Sequence, residues 1–159
     1  MIRILFDEMG GPHKDIFLKV DTTPSFLQLA DTYFLGDFLT KKFETKEEVI
    51  LEYLDYVKET IQGLADKAVF IAFDLSDQYV GGLFITKSKI GLVKVEYGWT
   101  GEIAGWNVTQ ESLAKLVKEN KKEFEIKGDW LFAEDAIIEG LDWSIGKIKK
   151  LSTTKPKLH

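Results

Sequence analysis

The amino-acid sequence predicts a single α+β domain, a mostly antiparallel twisted sheet packed by about three to four helices. Three observations carry that prediction: two short alternating segments near the N-terminus, one long amphipathic helix, and three consecutive apolar segments between Ala68 and Tyr97. A chain of 159 residues suits one domain. At that size roughly two-thirds of the unfolded surface is buried without help from disulfides. No internal repeat and no low-complexity block divides the chain, so residues 1–146 read as the domain and 147–159 as a lysine-rich tail, expected to be loose.

Taken in order, Ile2, Ile4 and Phe6 alternate with Arg3 and Leu5, and Ile16, Leu18 and Val20 alternate with Phe17 and Lys19. Both segments read as strands of an antiparallel hairpin, joined through Gly10-Gly11-Pro12. Thr23-Pro24 then reads as a helix start, with Phe26, Leu27, Ala30, Tyr33, Phe34 and Phe38 near the helical period. The clearest helix spans residues 45–65: Ile50, Tyr53, Leu54, Val57, Ile61, Leu64 and Ala65 fall within an arc of about 120°. Nearly opposite, Glu44, Glu48, Glu52, Asp55 and Glu59 fall within about 80°.

The segment Ala68–Leu75 is apolar on both faces and reads as an interior strand. Residues 79–87 and 90–97 complete a three-stranded meander, with Gly81-Gly82 predicting a bulge or a close backbone approach. After Tyr97 the periodicity breaks into an aromatic loop, residues 97–106, holding Trp99 and Trp106. Asn107 with Gln110 fits a capping box for a helix to about Glu123. Beyond it, residues 124–132 read either as a short hairpin turning at Lys127-Gly128-Asp129 or as a helix capped by Asp129, with some helix preferred within 133–140.

Composition removes several chemistries. With no cysteine, thiol catalysis and thiolate metal sites are excluded. His13 lies in a Gly-Pro loop, where a solvated turn histidine is the expected role, and His159 is the last residue. The sequence around Trp143-Ser144-Ile145-Gly146 has Asp142 where a nucleophile elbow requires glycine. Gly10-Gly11-Pro12-His13-Lys14 lacks phosphate-loop spacing, and Asp74 with Asp77 lacks the remaining ligands of a calcium loop. Asn107-Val108-Thr109 matches a glycosylation acceptor, which matters only on secretion. The expectation is therefore no catalytic residue, no metal and no cofactor.

Net charge is −5, but the five lysines of residues 143–159 leave 16 basic side chains against all 26 acidic ones in residues 1–142. Arg3 is the single arginine, so nucleic acid is not expected as a partner. The apolar runs are too short for a membrane span, and Asp7 and Glu8 interrupt any signal-peptide core, which points to a cytoplasmic protein.

Five acids in one helical arc repel one another by a few tenths of a kcal/mol per i,i+4 pair. A basic partner would remove that cost. Glu48, Glu52, Asp55 and Glu59, with Glu96 and Glu102, are the expected charged contacts, and Trp99 and Trp106 the anchors. In size, acidity and α+β pattern, though by no particular motif, the chain resembles the immunity proteins that bacteria make against their own secreted toxins. That resemblance implies a monomeric or weakly dimeric inhibitor of a basic, toxin-like protein, such as a nuclease. The alternatives are a small-molecule-binding or carboxylate-dependent hydrolytic domain, signalled by a cavity with inward carboxylates, and a structural assembly subunit, signalled by a large apolar surface.

Overall fold

Alternation puts Ile2 and Ile4 of β1 (Ile2–Phe6) and Ile16, Leu18 and Val20 of β2 (Ile16–Val20) on one buried face. In the computed structural model, which describes residues 1–65 and 67–154, these strands pair antiparallel with Ile4 opposite Leu18. β3 (Phe26–Ala30) extends the sheet beyond β2. Thr23-Pro24 is therefore a turn and not a helix start: Thr22 Oγ1 donates to Pro24 O at 2.9 Å, and the backbone after it pairs with β2. The helix begins later, at α1 (Thr32–Leu39), where Asp31 accepts the Tyr33 N–H.

α2 (Lys46–Gly63) follows, with Thr45 and Glu48 forming a reciprocal capping box. Ile50, Tyr53, Leu54, Val57 and Ile61 are buried as the stripe predicts. Leu64 is only half-buried and Ala65 is exposed, because the helix stops before reaching them.

The second sheet consists of β4 (Ala68–Leu75), β5 (Val80–Lys87), β6 (Leu92–Thr100) and β7 (Glu125–Ala133), each antiparallel to the next. β4 is an edge strand, not an interior one; its faces are covered because α1, β3 and the helix at Gln110–Glu119 pack near it, and Tyr53 Oη donates to Ala72 O at 2.6 Å. β6 continues through Gly98, Trp99 and Thr100, so the aromatic loop starts later than its sequence suggests. Gly98 interrupts the apolar pattern for a packing reason: a Cβ there would meet the Phe84 ring at 2.6 Å.

The α3 helix (Gln110–Glu119) is capped by Thr109 and Ser112, two residues past the expected Asn107, because those side chains reach each other's backbone N–H at 3.1 and 2.9 Å. Residues 125–133 form one strand where a hairpin or an Asp129-capped helix was expected. An irregularity at Lys127, between Gly128 opposite Tyr97 and Ile126 opposite Gly98, lets the pairing run on. Helix within 133–140 is present as the start of α4 (Glu134–Thr154). Residues 147–154, expected as a loose tail, continue this helix with Ile148 buried; residues 155–159, including His159, lie outside the described residues.

α4 closes the edge of the first sheet. Gly140 lets it approach, since a Cβ there would overlap the Ile2 carbonyl oxygen, and Ser144 Oγ accepts the Ile4 N–H at 2.9 Å while donating to Gly140 O at 2.8 Å. The serine that fails as a nucleophile thus serves as a clamp. Ser144→Ala should destabilise the fold by about 1–3 kcal/mol in urea unfolding, because the Ile4 N–H is left buried without a partner. An unchanged midpoint would show that the clamp contributes nothing.

Candidate functional site

β4 carries an extra residue at Phe73: Ala72 pairs with Gly82, yet Asp74 already pairs with Gly81. Because Gly81 and Leu83 lie on one face of β5, Ile71 and Asp74, three residues apart, share the inner face of the sheet. The two glycines permit this. A Cβ on Gly82 would overlap the Ile71 carbonyl oxygen, and one on Gly81 would overlap Tyr97 Oη and lie 3.4 Å from Asp74 Cβ.

The bulge leaves Asp74 only 5% exposed. It accepts hydrogen bonds from Gln28 Nε2 of β3 at 3.0 Å and from Tyr79 Oη at 3.4 Å. Burial raises its carboxyl to about 6, against the lowering effect of those two donors. Burial also raises the Tyr79 and Tyr97 hydroxyls, with Asp74 adding to both, and Tyr97 Oη has no hydrogen-bond partner among the described residues.

Beside Asp74 lies a second group. His13 Nδ1 stands 3.0 Å from Asp31 Oδ2, while Asp31 Oδ1 caps α1. Neighbouring Asp15 is fully buried, accepts the Thr32 N–H at 3.0 Å and meets Lys46 Nζ at 2.7 Å. Lys46 also reaches Glu8 and Pro12 O, and its ammonium is raised chiefly by the Asp15 hydrogen bond. That cross-link ties the loop carrying His13 to the start of α2.

Three open concavities share His13 and Asp31. One, of about 450 Å³, runs along Tyr33, Asp37, Phe43, Glu44 and Val49. The second, of about 370 Å³, lies between Gln28, Phe34, Asp74, Ser76 and Tyr79. The third, of about 460 Å³, passes Tyr33 and Phe34 to the Ser76-Asp77-Gln78 turn.

The aromatic segment meets the same turn. Gly105 N–H donates to Ser76 O at 2.7 Å, and a Cβ at Gly105 would lie 2.6 Å from Ser76 N. This brings exposed Trp106 beside the turn, and half-buried Trp99 packs on Tyr79 with ring centroids 5.7 Å apart. Tyr97, by contrast, is a core residue.

The charged residues singled out from the sequence divide. Glu48 is used as a cap, accepting the Glu44 and Thr45 N–H groups, and Glu52 pairs with Lys41. Asp55 and Glu59 are exposed. Of the whole α2 stripe only Glu44 lines one of the three concavities. Glu96 pairs with Lys94 at 3.0 Å, on the opposite face of β6 from Trp99. Glu102 is exposed on the segment after Trp99, its N–H bonded to Thr100 Oγ1.

Sequence reasoning missed the His13–Asp31 pair, the burial of Asp74, and Tyr33, which is 66% exposed. Gly81-Gly82 was the available signal for Asp74. Among the described residues no three histidine or acidic side chains are grouped to hold a metal ion, and no helix is long and apolar enough to cross a membrane. No family model, no curated protein and no solved structure matches the chain.

Because the Asp74 carboxyl is raised in the folded state, folding takes up a proton between about pH 4 and 6. Its contribution is full below its unfolded value and is lost as pH rises through about 6. Asp74→Asn should flatten the stability profile across that window, by up to about 3 kcal/mol. Parallel profiles of the two proteins in urea unfolding from pH 4 to 7 would refute this.

Proposed function

We propose that the protein is a non-enzymatic binding protein of the inhibitor class, in the manner of a bacterial immunity protein, which covers a basic toxin-like partner, such as a nuclease, in the cytoplasm. The observation that carries this reading is the juxtaposition of exposed aromatic rings and carboxylates: Tyr33, 66% exposed, lines concavities that also hold the exposed acids Asp37, Glu44 and Asp77, and equally exposed Trp106 follows Gly105, which packs on the Ser76 turn. Aromatic anchors supply contact area at low entropic cost, and surrounding carboxylates steer a basic surface into register. The binding face moves accordingly from the middle of α2 to the His13–Asp31 corner and the Ser76–Tyr79 turn. Asp55, Glu59 and Glu102 act as outlying steering charges.

Affinity capture from the source cell, followed by stopped-flow measurement with the recovered protein, tests this. Association should slow at least tenfold when Asp37 and Asp77 are both reversed to lysine, and Trp106→Ala should weaken affinity by about 2 kcal/mol through faster dissociation. A recovered protein that is acidic, or rates indifferent to the reversals, defeats the reading.

A second reading, a carboxylate-dependent hydrolase, is favoured by the raised Asp74 carboxyl beside the His13–Asp31 pair. Stoichiometry separates the two. Inhibition should saturate at one molecule per partner, whereas hydrolysis would act in substoichiometric amounts and vanish in Asp74→Asn.

A further inference from the structure

We propose that the cleft between β3 and the Ser76–Tyr79 turn receives a guanidinium group, the side chain of an arginine on the basic partner, placed between Asp74 on the cleft floor and Asp31 on its rim. This rests on the inhibitor reading and specifies what its central contact is.

Chemistry and shape both point to this occupant. The hydrogen-bond donors that reach Asp74, Gln28 and Tyr79, are neutral, so its charge is buried without a cation. Every titratable or charged group facing it can be named: Tyr79 on the turn, Tyr97 on β6, Asp31 at the α1 cap, and His13 and Lys14 on the first loop. Among these Lys14 is the lone permanent cation, and it is exposed with no ion pair among the described residues. The other nearby lysines are already engaged, Lys46 with Asp15 and Glu8, and Lys41 with Glu52. Phe34 and Tyr79 form aromatic walls, which suit a planar guanidinium better than a compact ammonium. The cleft of about 370 Å³ is open at the surface and has room for a guanidinium on its aliphatic stem. Seating a cation there would complete the hydrogen bonding of Asp74 and favour its charged form.

The test uses the whole chain, labelled with ¹⁵N, at constant ionic strength. It is titrated with Nα-acetyl-arginine methylamide and, separately, with the neutral isostere Nα-acetyl-citrulline methylamide. The arginine compound should shift the Gln28 side-chain amide and the Tyr79 and Asp74 backbone amides saturably at pH 7.5, and the citrulline compound should not. Affinity should fall about tenfold at pH 5, where Asp74 is mostly protonated. Asp74→Asn should abolish the shifts, and Asp31→Asn, which keeps a capping side chain, should weaken them. Absence of shifts at these residues, equal shifts with citrulline, or affinity unchanged between pH 7.5 and 5 would overturn the inference. Those outcomes leave the inhibitor reading standing if Trp106→Ala and the Asp37 and Asp77 reversals still impair capture of the partner. Conversely, loss of that reading with saturable arginine binding would show a guanidinium site without a protein inhibitor.

Discussion

The extra residue at Phe73 sets the arrangement of the rest. In a regular ladder the side chain two positions after Ala72 would share the face of Ala72 and Phe70, away from Gln28 and Tyr97. The bulge turns it inward, opposite a glycine with no side chain to resist it, and into contact with Gln28 of the other sheet. One backbone irregularity therefore buries a carboxylate and joins the two sheets through a polar contact. It also shapes a cleft whose other wall is the α1 cap. The cost of desolvating that carboxylate is held in the fold, as the raised Asp74 carboxyl records.

Charge is distributed around this cleft unevenly. Cations are largely consumed internally: Lys46 locks the first loop to α2, Lys58 joins α2 to α4 through Asp142 at 2.6 Å, and Arg3 is held by Asp21 and the Trp143 ring. Around the concavities acids outnumber lysines, with Asp31, Asp37, Glu44, Asp74 and Asp77 lining them beside Lys14, Lys41 and Lys46, of which Lys41 and Lys46 are already ion-paired. Exposed Tyr33 lines two of these concavities.

Much of the scaffold was legible from periodicity. β1, β2, α2 and the β4–β6 meander each show an apolar pattern that the structure buries as expected. β3 was hidden because Phe26, Leu27 and Ala30 fit a helical spacing as well as a strand, and only pairing with β2 decides between them. β7 was hidden because Gly128-Asp129 looks like turn chemistry, whereas Gly128 is small to accommodate the Trp130 ring folded over it. The site was less legible. His13 and Asp31 are 18 residues apart, and Gln28 and Asp74 are 46 apart, so no local pattern announces either contact. The α2 acidic stripe was conspicuous in sequence but lies mostly away from the concavities, with Glu48 and Glu52 already satisfied within the fold. Trp106 stood out in the sequence among glycines, and its exposed position follows from Gly105 packing on Ser76.

Asp74 is a buried carboxylate with only neutral donors. Its side-chain carboxyl carbon, followed by ¹³C NMR as a function of pH in the free protein, measures this directly. Titration near 6 is the predicted result. A midpoint at or below the ordinary aspartate value of about 3.9 would contradict it, showing the group to be solvated or already paired with a cation.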